Sequence, residues 1–245
     1  MPSPSCLLAL NLKDYLMTIF DSLPRRFVLL MAGAAIALSA CGNGGGDTST
    51  SAASGAAGKY TVADDYILGD ANAPVTLVEY ASVSCGACAY WHQNVYPEVK
   101  SQYIDTGKVK YVFHPFPAGE PQMAQAGHKL ALCADRTKFF KNVKLQFDRQ
   151  SQIMEMGRKQ NGLRQAYISL AKASGLSEDE FISCMGDADV TARYDAFIEL
   201  GTDQGVTGTP TVFVNGKRTK SDFESIQAAV APILGEPIPE KADAE

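Results

Sequence analysis

Two cysteines separated by two residues, in the segment Cys85-Gly-Ala-Cys88, are the part of this sequence best suited to covalent chemistry. They follow an apolar, β-branched segment and precede a helical one, so the first cysteine is expected at a helix N-terminus. There the free N–H groups and the helix dipole favour an anion, which lowers the pKa of a thiol. We therefore predict that Cys85 is the attacking thiolate. Cys88, one turn further, is predicted to be the more buried thiol that resolves a mixed disulfide.

Two other interpretations of this cysteine pair remain open. A zinc site would need two further ligands, and the sequence contains no second CxxC and no His-x-His segment. Cys133 and Cys184 could in principle complete such a site. A purely structural disulfide between Cys85 and Cys88 is the other alternative, although few folds need so short a loop for stability. We expect no metal and no organic cofactor.

The segments around the pair predict a β-α-β unit. Val75–Tyr80 is short, apolar and rich in β-branched residues, which indicates a buried strand. A helix is predicted over 89–106, kinked at Pro97 and ended by Gly107. The next strand is predicted at Val109–Phe113. The two cysteines then lie at the turn between the first strand and the helix.

Helical periodicity follows, and strand patterns return near the C-terminus. Apolar residues recur at helical spacing across 118–197, and Ser177–Glu180 has the sequence of a capping box. A hairpin is predicted at Thr211–Thr219 around the turn Asn215-Gly216. Ser221–Glu224 is a second predicted capping box, which begins the last helix.

This order of elements resembles the thioredoxin fold, with Cys85-Gly-Ala-Cys88 at a strand-to-helix turn and Gly208-Thr209-Pro210 before the hairpin. The helical insert makes the chain similar to the DsbA-like branch of secreted thiol oxidoreductases. Gly69–Tyr80 resembles the entry strand of that branch, and the resemblance extends to about residue 234. It implies an α/β protein with a thioredoxin fold and an inserted helical subdomain.

The resemblance implies a thiol:disulfide oxidoreductase that acts through this dithiol on cysteines of exported proteins, with oxidation as the favoured direction. Isomerases and reductases of this kind usually dimerise through an added N-terminal domain, whereas only a Gly/Ser-rich segment precedes the fold here. We therefore expect a monomeric oxidase, reset by a membrane redox partner. An isomerase or reductase is the alternative among enzymes. A non-catalytic surface lipoprotein with a thioredoxin fold is the alternative outside them.

The same resemblance implies roles for three residues near the dithiol. Glu79, six residues before Cys85, matches a buried acid that helps to move the proton of Cys88, and burial would suit it to proton transfer. A surface carboxylate on an edge strand is the alternative. Pro210 matches the cis-proline of the family, with the backbone of Thr209 open to pairing with an extended substrate. A trans proline at a strand start is the alternative.

The dipeptide between the cysteines departs from the best-known DsbA-like oxidants, which carry Pro-His there. Gly86-Ala87 provides no imidazolium to stabilise the thiolate, so we expect a weaker oxidant than one at about −120 mV. His92, four residues after Cys88, is expected to be an ordinary surface or half-buried residue of the helix, with contact to the site as the alternative. Trp91 is expected to serve packing.

Cys133 and Cys184 both fall on apolar stripes of the predicted insert helices. Leftover cysteines tend to pair in the compartments to which proteins are exported. Some DsbA-like proteins have a second bridge in the insert, so the resemblance also favours a structural disulfide between these two. Two buried free thiols are the alternative.

The N-terminus has the pattern of an export signal. Two arginines precede an uncharged apolar run over 27–40, which is shorter than the ~20 residues that span a membrane. A transmembrane helix is the alternative. Leu38-Ser-Ala-Cys41 resembles the lipobox of bacterial lipoproteins, which implies cleavage before Cys41 and lipid on its thiol. We therefore predict a lipoprotein signal peptide over 1–40, which would run from Met17 to Ala40 if translation starts at Met17.

Composition limits which classes of protein and partner remain possible. With 46% hydrophobic residues the chain can bury a core, and its net charge of −5 argues against a general nucleic-acid partner. We expect the lipid to hold the protein at a membrane, in the periplasm or cell envelope. The predicted parts are a linker at 41–59, the first part of the fold at 60–117, the insertion at 118–197, the second part at 198–235 and a loose tail at 236–245.

Overall fold

The structure is a computed structural model that describes residues 65–238 of the chain. The signal peptide predicted at 1–40, the lipidation predicted at Cys41 and the linker predicted at 41–59 lie outside the described residues, as does most of the tail predicted at 236–245. Across the described part of the chain, no helix has the length and apolar character needed to cross a membrane.

A five-stranded mixed sheet forms the centre of the described residues. Its strands are β1 (Ile67–Leu68), β2 (Val75–Ala81), β3 (Val109–Pro115), β4 (Thr211–Val214) and β5 (Lys217–Thr219). They lie in the order β1-β3-β2-β4-β5. Strands β2 and β3 pair in parallel, and the other neighbours are antiparallel. The parallel pair is joined by a helical crossover, as parallel neighbours require.

Strand β2 occupies the middle of the sheet, and all seven of its residues are buried. Its apolar, β-branched sequence suits a strand that is covered on both faces. Side chains alternate along a strand, so Leu77, Glu79 and Ala81 share one face while Val78 and Tyr80 point to the other. The single acidic side chain of β2 therefore enters the same apolar layer as Leu77 and Ala81.

The crossover between β2 and β3 is divided, whereas the sequence predicts one helix over 89–106. Its elements are α1 (Gly86–Asn94), α2 (Tyr96–Val99) and a π-helical turn (Lys100–Ile104). The break falls at Val95. Pro97 lies in the first turn of α2, where its missing N–H removes no helical hydrogen bond. Instead of the kink expected within one helix, the chain therefore begins a new helix just before Pro97.

Helices fill the chain between β3 and β4. They are α3 (Pro121–Cys133), a 3-10 turn (Arg136–Lys138), α4 (Phe139–Asp148), α5 (Gln150–Gly157), α6 (Gly162–Ala173), α7 (Glu178–Met185) and α8 (Ala188–Asp203). The capping box predicted at the start of α7 is confirmed, because Ser177 and Glu180 each accept a hydrogen bond from the other's backbone N–H. Helix α8 continues without a break past residue 197, the predicted end of the insertion.

The inserted helices pack both against each other and against the main core. One cluster, which includes Met123 and Leu130 of α3 and Tyr167 of α6, forms a core within the insert itself. In contrast, Phe139 and Phe147 of α4 join the main core, together with strands β2 and β3. Helix α4 thus attaches the insert to the face of the sheet that carries Glu79.

A disulfide joins Cys133, at the end of α3, to Cys184 in α7. The two cysteines left over from the dithiol are therefore bonded to each other and are not buried free thiols. The bond closes a separation of 51 residues within the insert.

The hairpin β4–β5 turns at the predicted residues. Asn215 and Gly216 have φ values of 44° and 77°, which is the left-handed pair that a type I′ turn needs. Asn215 also attaches the turn to the central strand. Its backbone N–H donates to the carbonyl of Thr76, and its side-chain oxygen accepts from the N–H of Thr76.

The last helix, α9 (Phe223–Leu234), begins differently from the prediction. The capping box expected from Ser221 is wrong, because Asp222 is the N-cap residue. Its carboxylate accepts a hydrogen bond from the N–H of Ser225. Both residue types are good N-caps, so sequence preference alone does not distinguish a start shifted by one residue.

Removing the insert disulfide is expected to lower the free energy of unfolding by about 4 kcal/mol, because the bond restricts the unfolded chain over 51 residues. The test compares Cys133→Ala/Cys184→Ala with its parent by urea unfolding. Both proteins should carry Cys85→Ser and Cys88→Ser, so that the dithiol does not contribute. An unchanged urea midpoint would contradict a stabilising role.

Candidate active site

Cys85 and Cys88 lie at the junction of β2 and α1, at the carboxyl end of the central strand. Cys85 is the N-cap residue of α1, with extended backbone angles, and Cys88 follows in the first turn. Cys85 is half-buried, whereas Cys88 has no exposed surface, and both are free thiols in this structure. The accessible cysteine is therefore at the helix N-terminus, with the buried one behind it.

The surroundings of Cys85 favour its thiolate and lower its pKa to about 5. The largest cause is a hydrogen bond from the Cys88 thiol. Partial burial acts against it, but Thr209 and the backbone N–H groups of Ala87 and Cys88 add to the lowering. Free N–H groups at a helix start commonly stabilise an anion in this way.

The pKa of the Cys88 thiol is shifted in the opposite direction, far above its usual value. Burial is the largest cause, followed by the hydrogen bond to Cys85 and by the negative charge of Glu79. At neutral pH the reduced site therefore holds a thiolate at Cys85 and a protonated thiol at Cys88.

Glu79 is fully buried on β2, on the sheet face that α1 covers. Its Oε2 atom accepts a hydrogen bond from the hydroxyl of Tyr111 on β3 and lies 3.0 Å from Nε2 of His92 on α1. Its Oε1 atom is buried and has no hydrogen-bond partner among the described residues. Because β2 is the central strand, Glu79 is not a surface carboxylate on a sheet edge.

His92 is not the ordinary helix residue that its position predicts. Its Nε2 atom contacts Glu79, and its ring stacks on Phe147 of α4 with the two ring centroids 4.0 Å apart. The signal in the sequence is the spacing of four residues from Cys88, which places both side chains on one side of α1. That spacing does not show what lies opposite, because Glu79 and Phe147 belong to other elements.

The loop before β4 lies against the dithiol. Its Thr209–Pro210 peptide bond is cis. Sγ of Cys85 lies 3.5 Å from the carbonyl oxygen of Thr209, and the hydroxyl of Thr211 donates to the carbonyl of Gly208 at 2.7 Å. The antiparallel pairing of β4 with β2 brings this loop next to Cys85 although 124 residues separate the two.

Two residues of the insert hold the loop that leads into the dithiol, and sequence reasoning misses both roles. The side-chain N–H₂ of Gln150 donates to the carbonyls of Val83 and Cys85, each at 2.9 Å. The N–H of Val83 donates to Nε2 of His128 at 3.3 Å. Burial lowers the pKa of His128 to about 3, so its neutral ring accepts at Nε2 and donates from Nδ1 to Tyr194.

A groove of about 850 Å³ opens beside the dithiol, between α1 and the C-terminal hairpin and helix. Tyr90 and Trp91 line one side of it, and Pro210 and Phe223 line the other. Tyr90 is 66% exposed, whereas Trp91 packs into the core as predicted and donates from Nε1 to the carbonyl of Ser221. The rim also carries charged side chains of both signs, namely Glu98, Arg218, Lys220, Asp222 and Glu224.

Metal ligation is not supported by the arrangement of the described residues. Residues 65–238 contain no group of three His, Cys, Asp or Glu side chains that could hold a metal ion. Cys133 and Cys184 are bonded to each other, so they do not complete a zinc site with Cys85 and Cys88.

Comparison with known protein families and sequences finds the thioredoxin family and relatives whose names refer to disulfide chemistry. The family model described as Thioredoxin matches residues 61–231. A Rickettsia felis protein named for protein-disulfide oxidoreductase activity is 33% identical over 178 residues, which are 71% of this chain and 61% of that protein. Disulfide bond formation protein D of Bacillus subtilis is 24% identical over 182 residues, or 71% of this chain and 78% of that one. The chain therefore spans less than two thirds of the Rickettsia relative.

Solved structures show the same similarity in three dimensions. Wolbachia pipientis alpha-DsbA1 superposes with a TM-score of 0.60 at 25% identity, over 71% of this chain and 93% of that one. Oxidised BdbD from Bacillus subtilis gives a TM-score of 0.62 at 20% identity, over 70% of this chain and 93% of that one. The second similarity concerns the fold alone.

The thiolate absorbance of the reduced protein is expected to appear as the pH rises through about 5, which is the pKa of Cys85. Cys88→Ala removes the largest stabilising hydrogen bond and should move this midpoint upward, toward an ordinary thiol. Cys88→Ser keeps a donor and should stay closer to the wild-type midpoint. Equal midpoints in Cys88→Ala and wild type would refute the assigned cause.

Proposed function

Because the chain belongs to the thioredoxin family and has the fold of its DsbA-like members, we propose that it is a thiol:disulfide oxidoreductase that oxidises cysteine pairs of exported proteins. The observation that carries this proposal is the opposite shift of the two thiol pKa values at one helix N-terminus. An accessible thiolate next to a buried, protonated thiol is the arrangement that thiol–disulfide exchange uses.

The proposed reaction starts from the Cys85–Cys88 disulfide. A substrate thiolate attacks Sγ of Cys85, the Cys85–Cys88 bond breaks, and Cys88 leaves as a thiolate that takes up one proton. A second substrate thiolate then attacks the substrate sulfur of the mixed disulfide, and Cys85 leaves as a thiolate. The substrate has lost two electrons and gained a disulfide, and the dithiol of the enzyme holds both electrons.

The direction of the reaction follows from the thiolate of Cys85. A low pKa makes Cys85 a good leaving group in the second step, and stabilisation of the reduced form makes the disulfide form oxidising. This favours an oxidase over an isomerase or reductase. The proposal requires a redox partner that takes the two electrons back out of the dithiol, and we place this partner in the membrane.

Glu79 is proposed as the acid that exchanges a proton with Cys88. Its negative charge already acts on the Cys88 thiol, and its Oε1 atom has no other hydrogen-bond partner among the described residues. A carboxyl group in a buried site can both give and accept a proton during one reaction cycle. In the proposed cycle Glu79 protonates the leaving Cys88 thiolate and takes the proton back during reoxidation.

Substrate binding is proposed beside the cis bond. An extended peptide could pair with the backbone at Thr209, next to Cys85, in the manner of an added strand. The groove lined by Tyr90, Pro210 and Phe223 would take side chains near the reacting cysteine. Nucleophile, resolving thiol and acid all come from one chain, so we propose that the enzyme acts as a monomer.

We also propose that the protein works outside the cytoplasm, on a lipid anchor at Cys41. The support is the sequence pattern that ends at this cysteine and the insert disulfide, since disulfides persist in oxidising compartments. Metabolic labelling with a radioactive fatty acid tests the anchor. Incorporation should depend on Cys41, and label that survives in Cys41→Ser would contradict it.

The oxidase activity is tested with a reduced peptide that contains two cysteines and with the fully oxidised protein. Wild type should oxidise the peptide, whereas Cys85→Ser and Cys88→Ser should not, because neither variant can form the Cys85–Cys88 disulfide from which the reaction starts. Insulin reduction measured in parallel separates a reductase. Activity in neither assay, or activity that does not depend on Cys85, would contradict the proposal and favour a binding role.

The reduction potential of the Cys85–Cys88 pair is expected at about −180 mV, between those of thioredoxin and DsbA, because the pKa of its nucleophile also lies between theirs. Equilibration with glutathione, followed by the fluorescence of the single tryptophan, measures it. Cys133→Ala/Cys184→Ala is the control that removes the second redox pair. A potential at or above about −120 mV would contradict the role assigned to Gly86-Ala87.

A further inference from the structure

The buried positions of Glu79 and Cys88 leave a proton that moves between them without a direct path to solvent. Glu79 has no exposed surface, and Cys88 has none either. In the proposed cycle one proton must reach Cys88 when the disulfide opens and must leave when it closes. A group that contacts both Glu79 and solvent is therefore required.

His92 is placed to be this group. Its Nε2 atom lies 3.0 Å from Oε2 of Glu79, and its side chain keeps 7% of its exposure where Glu79 keeps none. Within residues 65–238, its other ring nitrogen, Nδ1, has no hydrogen-bond partner. The stacking of the ring on Phe147 holds it in this orientation.

We propose that His92 relays protons between solvent and Glu79. It acts on Cys88 only through that carboxylate, so it is a positioning residue. The proposal rests on the oxidoreductase function given above. It extends that function to a residue outside the dithiol, the acid and the proline loop.

The proton balance closes over the two halves of the cycle. While substrate is oxidised, water protonates Nδ1, the Nε2 proton passes to Glu79, and Glu79 protonates the Cys88 thiolate. When the redox partner withdraws two electrons, Cys88 returns its proton to Glu79, Glu79 passes it to Nε2, and Nδ1 releases a proton to water. His92 thus changes tautomer in the first half and recovers it in the second.

The other polar groups packed around His92 do not compete as proton carriers at moderate pH. Tyr111 on β3 shares Oε2 of Glu79, and the ring of Tyr96 on α2 lies 5.0 Å from that of His92. Burial raises the pKa of both phenols well above 10, so they stay protonated. The facing residue of α4, Phe147, does not titrate.

The test follows the step that protonates Cys88, by single-turnover stopped flow with the oxidised enzyme and a dithiol peptide. His92→Gln keeps a hydrogen-bond donor near Glu79 but removes the imidazole ring and its two nitrogens. It is expected to slow this step by about 100-fold near neutral pH and to flatten its pH profile. The thiolate titration of Cys85 should remain unchanged, because the variant leaves the N-terminus of α1 intact.

Chemical rescue provides a second and independent measurement. His92→Ala leaves a space beside Phe147, and added imidazole should restore the rate in proportion to its concentration. Gln93→Ala is the matched control, since Gln93 is the next residue of α1 and is exposed. It should match wild type in rate and pH profile, with or without imidazole.

The outcomes separate the relay from the proposed function. A wild-type rate and pH profile in His92→Gln, or no imidazole rescue of a folded His92→Ala, would overturn the relay while wild-type turnover preserves the oxidase. A wild-type protein that leaves the peptide reduced would overturn the oxidase and the relay together.

Discussion

The buried carboxylate of Glu79 is the constraint on which the rest of the site depends. An ionised carboxylate without water is stable only where hydrogen bonds replace that water. Here one carboxylate oxygen accepts a hydrogen bond from the hydroxyl of Tyr111 on β3 and lies 3.0 Å from Nε2 of His92 on α1. The charge that remains acts on Cys88 and raises the pKa of its thiol. One buried acidic side chain on the central strand thus helps to make the pKa values of the two cysteines differ.

The thioredoxin part and the helical insert contribute in different ways. The sheet and α1 supply the reacting groups, because β2 ends at the dithiol and β4 brings Thr209 to Cys85. The insert supplies rigidity, since Gln150 fixes the carbonyls on either side of the turn. It also places Phe147 against His92. The loop that leads to the nucleophile at a helix start must be fixed in position. Here the residue that fixes it belongs to the insert and not to the thioredoxin fold.

Sequence patterns correctly locate the elements near the dithiol. Strand β2, the helix start after Cys85 and the hairpin turn at Asn215 all follow local preferences that act over a few residues. The patterns were less accurate where two local solutions compete. At the start of α9, Ser221 and Asp222 both suit the N-cap, and at Pro97 a kinked helix and a new helix start both fit the sequence. The contact of His92 with Glu79 is a different case. The main expectation for His92 is an ordinary helix residue, because the two residues lie on separate elements and no local pattern connects them.

The sequence by itself determined which residues could react and which local elements carry them, because spacing and periodicity are properties of short segments. It therefore identified Cys85 and Cys88 as a dithiol at a helix N-terminus. Only the tertiary structure decided which groups surround the two thiols and make their pKa values differ. Burial of Cys88, the neutral ring of His128 and the contact between Glu79 and His92 all depend on segments far apart in the chain. Desolvation and charge–charge distance arise from that packing, and they set the pKa values on which the chemistry rests.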